Sequence, residues 1–398
     1  MGAQPFVELT LPSPSFSLTH GLAQHYDHLG RFGRRRALER DDMYRKLQPD
    51  IRRVLEGCEW DLTACAPSTR RAPWRAVAWN VERGKRFDQL MTRLRVEPAM
   101  RDADLMLVTE LDIGMGRSGN RNVPKAMAGA LGMGYVFANY HLVLAPGDSA
   151  EQDAELPNEL ALHGAALLSR HPIKRAWTVE LPELVDKFHV IEKRLGTKRA
   201  LLCEVAMPDG PLLVAVLHLD PFASSAHRAM QMRLVTAAID ATGIDRVLLG
   251  GDLNTNTYDL GSKLGLTKNV LHKLFRFGFA GTVRQYMTPE QVFERPLFEA
   301  IARAGFVTDG FTDPHAGTIA YDLNDPEVRE KSLQYLPMWA FKWLERKLGP
   351  WNGCVPMRLD HFAGRGLVPV RASTLPRDYE GERVSDHSPI VLEFTSEG

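Results

Sequence analysis

The sequence predicts an α/β fold, and the order of its apolar segments is the main support for this prediction. From Pro73 onward, short apolar runs typical of buried strands alternate with segments whose apolar residues recur at helical spacing. Many of these runs end in a polar residue, and loops at strand ends are where rigid scaffolds present catalytic groups. The 398 residues are enough for one large domain or two ordinary ones.

The composition narrows the classes of protein to consider. With 44% hydrophobic and 25% charged residues, the chain is typical of a soluble globular protein. Its 49 Lys and Arg residues balance 49 Asp and Glu residues, which argues against a general polyanion binder but allows a local basic patch. We see no signal peptide and no apolar stretch long enough for a transmembrane helix. The four cysteines are scattered without C-x-x-C spacing, so we expect a reducing compartment and a cytoplasmic location.

Residues 1–70 form a predicted N-terminal extension that is partly helical and basic. Residues 31–55 contain nine Lys or Arg against four Asp or Glu. Pro49 would kink or split an amphipathic helix predicted by apolar residues at every fourth position, at Met43, Leu47, Ile51 and Leu55. The basic residues could form a patch for phosphate-bearing polymers or an anionic membrane. We favour the alternative, in which they form the solvated face of a helix packed against the main domain.

The main domain, residues 71–398, contains the alternating elements. Strands are predicted at residues 75–79, 104–110, 135–140, 165–169, 200–206, 212–219, 245–250 and 390–394. Helices are predicted at residues 87–94, 122–131 and 226–238. The second of these helices ends at Gly132, a residue type that commonly terminates helices. The turn sequence Pro208-Asp209-Gly210 joins two of the strands into a predicted hairpin.

A long insertion is predicted at about residues 257–357, because the regular alternation stops there. It contains two predicted helices, at residues 294–304 and 338–348. The second carries Trp339, Phe341 and Trp343 on more than one side, so we expect it to be buried in the core or against a partner. A membrane surface is the alternative, because the same helix carries the basic residues Lys342, Arg346 and Lys347.

One stretch, residues 247–254, brings several of these signals together. An apolar run is followed by Gly250 and Gly251, where a backbone can turn sharply or approach a ligand closely. Asp252 and Asn254 then lie two residues apart, so in an extended segment both side chains point to the same face. An ordinary strand-to-turn junction would have a similar composition, and the distinction depends on the rest of the chain.

Polar residues at the ends of other strands supply that context. They are Asn80, Glu110, His218, Asp252 with Asn254, Asp360, and Asp386 with His387. Hard divalent cations such as Mg²⁺ prefer oxygen ligands, which carboxylates of this kind supply. An aspartate can polarise an attacking water, and a histidine paired with an aspartate can face a negative phosphate. The set contains no nucleophilic serine or cysteine and no zinc-ligand spacing, so it indicates metal-assisted attack of water on phosphorus.

The chain resembles the endonuclease/exonuclease/phosphatase superfamily, which has the DNase I-like fold. The resemblance is carried by motifs that stand in the superfamily's order: Trp79-Asn80-Val81-Glu82, Val108-Thr109-Glu110, Gly164 to Arg170, Leu217-His218-Leu219-Asp220, Gly250-Gly251-Asp252-Leu253-Asn254, Arg358-Leu359-Asp360-His361 and Ser385-Asp386-His387-Ser388-Pro389. The resemblance implies a four-layer α/β/β/α sandwich of two mixed β-sheets. It also implies cleavage of phosphoester bonds that depends on Mg²⁺ or Mn²⁺.

The resemblance also implies roles for individual residues. The implied metal site has Glu110 as its principal ligand, with Asn80 and Asp386 beside it and Glu82 at a position that is often acidic or polar. The implied catalytic residues are Asp252 with Asn254, His387 with its partner Asp360, and a second histidine, His218. The implied substrate-binding residues are Asn254 and Arg228, the latter on the helix after His218.

Two departures concern the substrate rather than the chemistry. Many members have Gly-Asn-Ala where this chain has Gly164-Ala165-Ala166, so one usual amide on the substrate side is missing. The stretch between Asn254 and Asp360 is also longer than in compact members. We therefore expect a metal-dependent phosphodiesterase that acts on nucleic acid or a phospholipid head group, with partner proteins unknown. The alternative is an inactive scaffold of the same fold that binds a partner through residues 257–357.

Overall fold

The structure, a computed structural model, describes residues 6–66, 72–148, 151, 155–255, 263–335 and 337–397. The predicted boundary of the N-terminal extension near residue 70 and the start of the predicted insertion at 257 lie outside the described residues.

The described residues form nineteen strands and eleven α-helices. The strands are β1 (Phe6–Leu9), β2 (Ser15–Phe16), β3 (Cys58–Asp61), β4 (Trp74–Arg83), β5 (Leu105–Ile113), β6 (Gly134–Val143), β7 (Leu162–Ser169), β8 (Ile173–Glu180), β9 (Arg194–Gly196), β10 (Arg199–Met207), β11 (Gly210–His218), β12 (Val247–Asp252), β13 (Ile319–Asp322), β14 (Cys354–Met357), β15 (Asp360–Arg365), β16 (Leu367–Thr374), β17 (Asp378–Tyr379), β18 (Glu382–Arg383) and β19 (Ile390–Ser396). The helices are α1 (Tyr26–Gly30), α2 (Arg35–Leu38), α3 (Asp42–Leu55), α4 (Phe87–Val96), α5 (Pro98–Arg101), α6 (Val123–Leu131), α7 (Ser225–Thr242), α8 (Lys263–Gln285), α9 (Arg295–Arg303), α10 (Pro326–Tyr335) and α11 (Met338–Leu348).

Most strands belong to two large mixed sheets. The first has six strands in the order β1-β8-β10-β11-β12-β15, and only its β11–β12 pair is parallel. The second has nine strands in the order β16-β19-β4-β5-β7-β6-β3-β2, with β9 paired to β6 and with β4 and β5 parallel. Two small two-stranded sheets, β13–β14 and β17–β18, complete the described strands.

The two sheets pack face to face with helices on both outer faces, which confirms the predicted four-layer sandwich. One apolar core lies between the sheets and includes Leu107, Leu248 and Phe362. A second core joins α4 and α6 to the nine-stranded sheet, and a third joins α7 and α9 to the six-stranded sheet. Each sheet is buried on both faces, which explains why its central strands read as continuous apolar runs rather than as alternating ones.

The first described segment, residues 6–66, contributes to both sheets. Strand β1 pairs with β8 at an edge of the six-stranded sheet, and β2 and β3 extend the nine-stranded sheet beyond β6. Helix α3 buries Ile51 and Val54 against the main core, as the favoured interpretation of its basic residues expects. Pro49, predicted to kink or split this helix, does not split it, because packing of the apolar face compensates for one missing hydrogen bond.

The insertion has a small core of its own, formed by Val283, Leu323, Phe341, Leu348 and Val355. Only one side of α11 faces this core, so the helix is not buried in the core all round, and burial of its other side against a partner stays a prediction. Trp339 and Trp343 are 76% and 40% exposed, respectively. None of the helices within the described ranges, α8 with 23 residues included, is long and apolar enough to cross a membrane.

Candidate active site

Strand alternation brings the predicted polar residues to one end of the gap between the sheets. In β12, Val247 and Leu249 face the helices while Leu248 faces the other sheet, so Asp252 also faces the gap. His218 on β11 and Asp360 on β15 are in register with Asp252, one on each side of it. The six-stranded sheet therefore presents three candidate catalytic side chains in a row.

On the nine-stranded sheet, two shifts in strand register precede the candidate site residues Glu82 and Glu110, which face the six-stranded sheet. The pairing of β4 with β5 shifts after Asn80, and the pairing of β5 with β7 shifts after Val108. Such bulges re-aim side chains. Glu82 and Glu110 follow them in the left-handed region, with φ of 47° and 53°, and Asn254 shares this conformation with φ of 50°. Non-glycine residues with positive φ are uncommon and collect at functional sites.

The two glycines before Asp252 are required by close approach. A Cβ on Gly250 would lie 2.4 Å from the ring of Phe362, which fills the space between the sheets. Gly251 has φ of +129°, and a Cβ there would lie 2.2 Å from the carbonyl oxygen of Leu217. These contacts hold β12 tightly between its neighbours, and this fixes the position of the Asp252 carboxylate.

Asp252 lies at the centre of the site. Asn80 Nδ2 donates to Asp252 Oδ2 at 3.1 Å, and the backbone N–H of Asn254 donates to Oδ1 at 2.8 Å. His218 Nε2 and His387 Nε2 lie 3.6 Å and 3.8 Å from Oδ2, longer than hydrogen bonds. Burial, followed by the like charge of Asp360, raises the pKa of Asp252 to about 7. This carboxyl group can therefore both accept and donate a proton near neutral pH.

His387 is held from three sides. Its Nδ1 lies 2.7 Å from Asp360 Oδ2, within the buried pair that the sequence predicts. Its carbonyl accepts from Trp79 Nε1 at 2.9 Å, and its N–H donates to Ser385 Oγ at 3.1 Å. Burial opposes the imidazolium form, but the carboxylates of Asp360, Asp252 and Asp386 outweigh it and raise the pKa of His387 well above its usual value.

The predicted metal ligands lie on the other side of Asp252. Glu110 Oε1 is 3.9 Å from His218 Nε2, and the Glu110 side chain is 24% exposed. Burial raises the pKa of Asp386, and the nearby charges of Glu82 and Glu110 add to this effect. Three carboxylates that repel one another in this way form a donor set that suits a hard divalent cation.

Two of the predicted metal ligands have close protein partners, whereas Glu110 and Asp386 make only longer contacts, of 3.9 Å with His218 and 4.0 Å with Arg83 for Glu110 and of 3.4 Å with Ser385 Oγ for Asp386. Glu82 forms ion pairs with Lys85, at 3.3 Å, and with Arg86. The amide of Asn80 donates to Asp252, and its Oδ1 accepts from the backbone N–H of Glu82 at 3.1 Å. Glu110 and Asp386 are therefore the best-placed ligands of the predicted set.

A different trio forms the tightest cluster of acid and imidazole groups in the described part of the chain. Asp252, Asp360 and His387 each offer one atom within 4.8 Å of the others, a grouping that Glu82, Glu110 and Asp386 do not achieve. Within this trio, His387 Nδ1 and Asp360 Oδ2 already share a hydrogen bond, so these two atoms have a protein partner.

Arg228, predicted to bind substrate, does not face the site. Its side chain is fully buried on α7, where Nη2 lies 2.5 Å from Glu294 Oε1. Nη1 donates to the carbonyl oxygens of Asp220 and Ala223. Gln231 similarly accepts from the Asp220 N–H at 3.1 Å. Both side chains position the loop that follows His218, and the ion pair with Glu294 explains why Arg228 is turned away from substrate.

Lys198 is the main site residue that the sequence interpretation missed. Burial lowers the pKa of Lys198 to about 8, although Glu183, Glu110 and Asp252 favour its charged form. The residue precedes β10, which runs antiparallel to β11, so it lies near the His218 end of that strand. Lys198 precedes its strand, whereas most of the predicted site residues follow one. The predicted hairpin of residues 200–219 could have identified Lys198, because the start of one arm lies beside the end of the other.

Arg83 is a second missed residue. Its Nε lies 4.0 Å from Glu110 Oε2, and its guanidinium also contacts Asp148, Glu151 and Glu192. Despite burial, these four acids raise the pKa of Arg83 well above its usual value. The ion pair with Arg83 thus fixes the Glu110 side chain. The position of Arg83 directly after Glu82 in the motif is the sequence signal that points to this role.

Several solved structures are similar to this chain. The endonuclease/exonuclease/phosphatase of Beutenbergia cavernae is 17% identical over 82% of this chain and 72% of that chain, with a TM-score of 0.47. A family protein of Leptotrichia buccalis is 12% identical over 82% of this chain and 100% of that chain, with a TM-score of 0.44. The 3'-5' exonuclease NExo of Neisseria meningitidis is 13% identical over 80% and 99% of the two chains, with a TM-score of 0.42.

A search of curated proteins finds no match. The sequence model of the endonuclease/exonuclease/phosphatase family, by contrast, matches residues 77–387. This range begins three residues before Asn80 and ends at His387, so it includes all the candidate site residues. The chain belongs to the endonuclease/exonuclease/phosphatase family, a family of phosphoester hydrolases.

Proposed function

We propose that the protein is a divalent-metal-dependent phosphodiesterase that acts on nucleic acid or on a phospholipid head group. The observation that supports this proposal most directly is the environment of Asp252 Oδ2. Asn80, His218 and His387 converge on this one carboxylate oxygen from both sheets, and Asp360 lies behind His387. Such an arrangement orients an acid for work on water or on a phosphate oxygen.

In the proposed mechanism, Asp252 accepts a proton from the attacking water while Asn80 and Asn254 hold its two oxygens. The water attacks phosphorus in line with the leaving oxygen, which departs with the electron pair of the broken bond and takes a proton from solvent. His387, kept charged by Asp360, donates a hydrogen bond to a non-bridging phosphate oxygen and stabilises the negative charge that develops there. His218 is placed to contact the same phosphate from the side of Glu110.

The residues present fit a hard cation such as Mg²⁺ or Mn²⁺. Glu110 and Asp386 would hold it, with Glu82 and Asn80 beside them, since their oxygens match its preference. When bound, the ion would neutralise phosphate charge and polarise the phosphorus–oxygen bond. Lys198 and Arg83 provide positive charge around the same acids and limit their mutual repulsion.

The proposal predicts metal-dependent hydrolysis of a simple diester. The protein with Mg²⁺ or Mn²⁺ should release p-nitrophenol from bis-(p-nitrophenyl) phosphate faster than from p-nitrophenyl phosphate, because an active site that accepts a diester does not require a terminal phosphate dianion. EDTA should abolish this release, and an excess of Mn²⁺ should restore it. Faster turnover of the monoester would replace the phosphodiesterase assignment with a phosphatase. Turnover that survives EDTA would contradict the metal dependence.

The predicted ligands can be tested without turnover. Mn²⁺ should raise the melting temperature of the protein, because a ligand that binds only the folded state stabilises it by about 2.7 kcal/mol at a hundredfold excess over Kd. Glu110→Gln should lose most of this shift, because it removes the charge of the best-placed ligand. Asp360→Asn is the matched control and should keep the shift. The reverse pattern would assign the ion to the trio of Asp252, Asp360 and His387.

A further inference from the structure

The insertion exposes an unusual set of apolar side chains. Among the large apolar residues in the described part of the chain, Phe275 is 97% exposed and Trp339 is 76% exposed, and these are the two highest values. Leu271 and Met338 are 59% and 57% exposed, and Ile191 is the one other large apolar residue with an exposed fraction above theirs and below that of Trp339. Four of the five most exposed large apolar residues therefore lie on two helices, α8 and α11. Exposed large apolar residues that lie together, rather than singly, mark an interaction surface.

The two helices are in contact, so their exposed residues belong to one structural unit. Gly278, with φ of 65° and ψ of 175°, interrupts α8. After this break the ring of Phe279 meets that of Trp343 edge-on, with centroids 5.7 Å apart. Before the break, Phe277 packs against Phe293, while Phe275 points outward. The core of the insertion thus holds α8 and α11, and with them their exposed side chains, in place.

Basic residues surround the exposed apolar ones. Helix α8 contains five Lys or Arg and no Asp or Glu, and α11 contains three against one. The single acid, Glu345, pairs with Arg329 at 2.7 Å. The exposed basic residues of α11 are Lys342, Arg346 and Lys347. Each lies three or four residues, about one helical turn, from Trp339, from Trp343 or from another of these basic residues. Although charge is balanced over the whole chain, α8 and α11 therefore carry an excess of basic residues, of which Lys273 is buried.

We propose that this surface, the exposed faces of α8 and α11, docks the protein on an anionic phospholipid membrane. Tryptophan, phenylalanine, leucine and methionine that project from a helix can insert among lipid head groups, while flanking lysines and arginines bind the anionic lipids. Proteins that bind single-stranded nucleic acid stack bases on aromatic rings within a groove, whereas these rings lie on outer helix faces next to aliphatic residues. The proposal does not depend on the catalytic assignment.

The docking surface is physically linked to the candidate active site. Strand β14 pairs with β13 inside the insertion and leads within three residues to Asp360. Arg358 fastens this connection, since its N–H donates to the Tyr286 carbonyl and its Nη2 lies 2.7 Å from Glu290. Thr318 Oγ1 accepts from the N–H groups of Leu359 and Asp360. Docking through α8 and α11 would therefore hold the site at a fixed distance from the membrane.

The proposal is tested by sedimentation of the full chain with vesicles of phosphatidylcholine, alone or mixed equally with phosphatidylglycerol. We expect binding to the mixed vesicles that weakens with added salt, accompanied by a blue shift of tryptophan fluorescence. Phe275→Ser with Trp339→Ser should weaken binding by roughly tenfold or more, because two large apolar side chains no longer enter the bilayer interface. Lys342→Glu with Arg346→Glu should weaken it by a similar factor and reduce the salt dependence.

Matched controls distinguish docking from general effects. Val368→Ser with Val370→Ser removes exposed apolar residues from β16, and Lys174→Glu with Arg371→Glu reverses exposed charges elsewhere; both should bind vesicles as the unchanged protein does. His387→Ala should also bind normally, which separates docking from catalysis. Equal binding by the surface variants, or no binding to mixed vesicles, would overturn the proposal. The proposal would also be overturned if the protein bound a single-stranded oligonucleotide more tightly than the mixed vesicles and the Phe275→Ser, Trp339→Ser variant lost that binding.

Discussion

Asp252→Asn is expected to lower kcat for a phosphodiester by about three or more orders of magnitude while the protein remains folded. The amide has nearly the same shape as the carboxylate and can retain one hydrogen bond from Asn80 or from the Asn254 N–H. It cannot accept the proton that the attacking water must release. Measurement of kcat under saturating Mn²⁺, together with the melting temperature, separates loss of chemistry from loss of fold.

His387→Ala should have an effect of similar size, and the double variant should be little slower than either single variant, because groups that act as a unit fail together. Asp102→Asn, at an exposed position outside the site, serves as the matched control and should retain full activity. Near-normal turnover by Asp252→Asn would remove Asp252 from the mechanism. A simple product of the two single effects in the double variant would show that the two residues act independently.

Arg228→Met should reduce the free energy of unfolding by about 3–5 kcal/mol, because it leaves the buried carboxylate of Glu294 without its partner. Denaturant unfolding measures this directly. Arg233→Met, an exposed arginine on the same helix, is the matched control and should change stability little. The additional change Glu294→Leu in the Arg228→Met protein should recover much of the loss, since apolar replacement of both partners removes the unpaired charge.

The same experiment decides between two roles for Arg228. A residue that positions the loop after His218 should affect stability first and activity only through that loop. A residue that binds substrate should raise KM with little loss of stability. If Arg228→Met unfolds normally and only KM rises, the original prediction of substrate contact would be restored and the buried ion pair would have to open during the reaction.

The sandwich and the position of its site could be predicted because both depend on local patterns. Apolar runs predicted nearly every central strand, and Asn122 and Gly132 marked both ends of α6, where the structure has the N-cap and the left-handed C-cap. The polar residues at strand ends gather because parallel and antiparallel neighbours bring those ends to one edge.

The parts that could not be predicted depend on partners distant in sequence. Arg228 is turned away from the site by Glu294, 66 residues later, and no periodicity predicts such a pair. Strand β1 pairs with β8 more than 160 residues away, so residues 6–66 looked separate from sheets that they in fact extend. For α11, apolar residues on two sides are equally consistent with a helix buried in the core and with one that leaves Trp339 exposed to a partner or a membrane.

The candidate site spans the two sheets, and this makes the reaction sensitive to residues that never touch substrate. Asp252 and His218 belong to one sheet and Asn80 and Glu110 to the other, so their spacing depends on the thickness of the side-chain layer between the sheets. Leu107 and Phe362 are part of that layer. Trimming such side chains would let the sheets move closer together. The rate of substrate turnover would then depend on the distance between the sheets. It would fall when core packing between them loosens, before a change in unfolding is measurable.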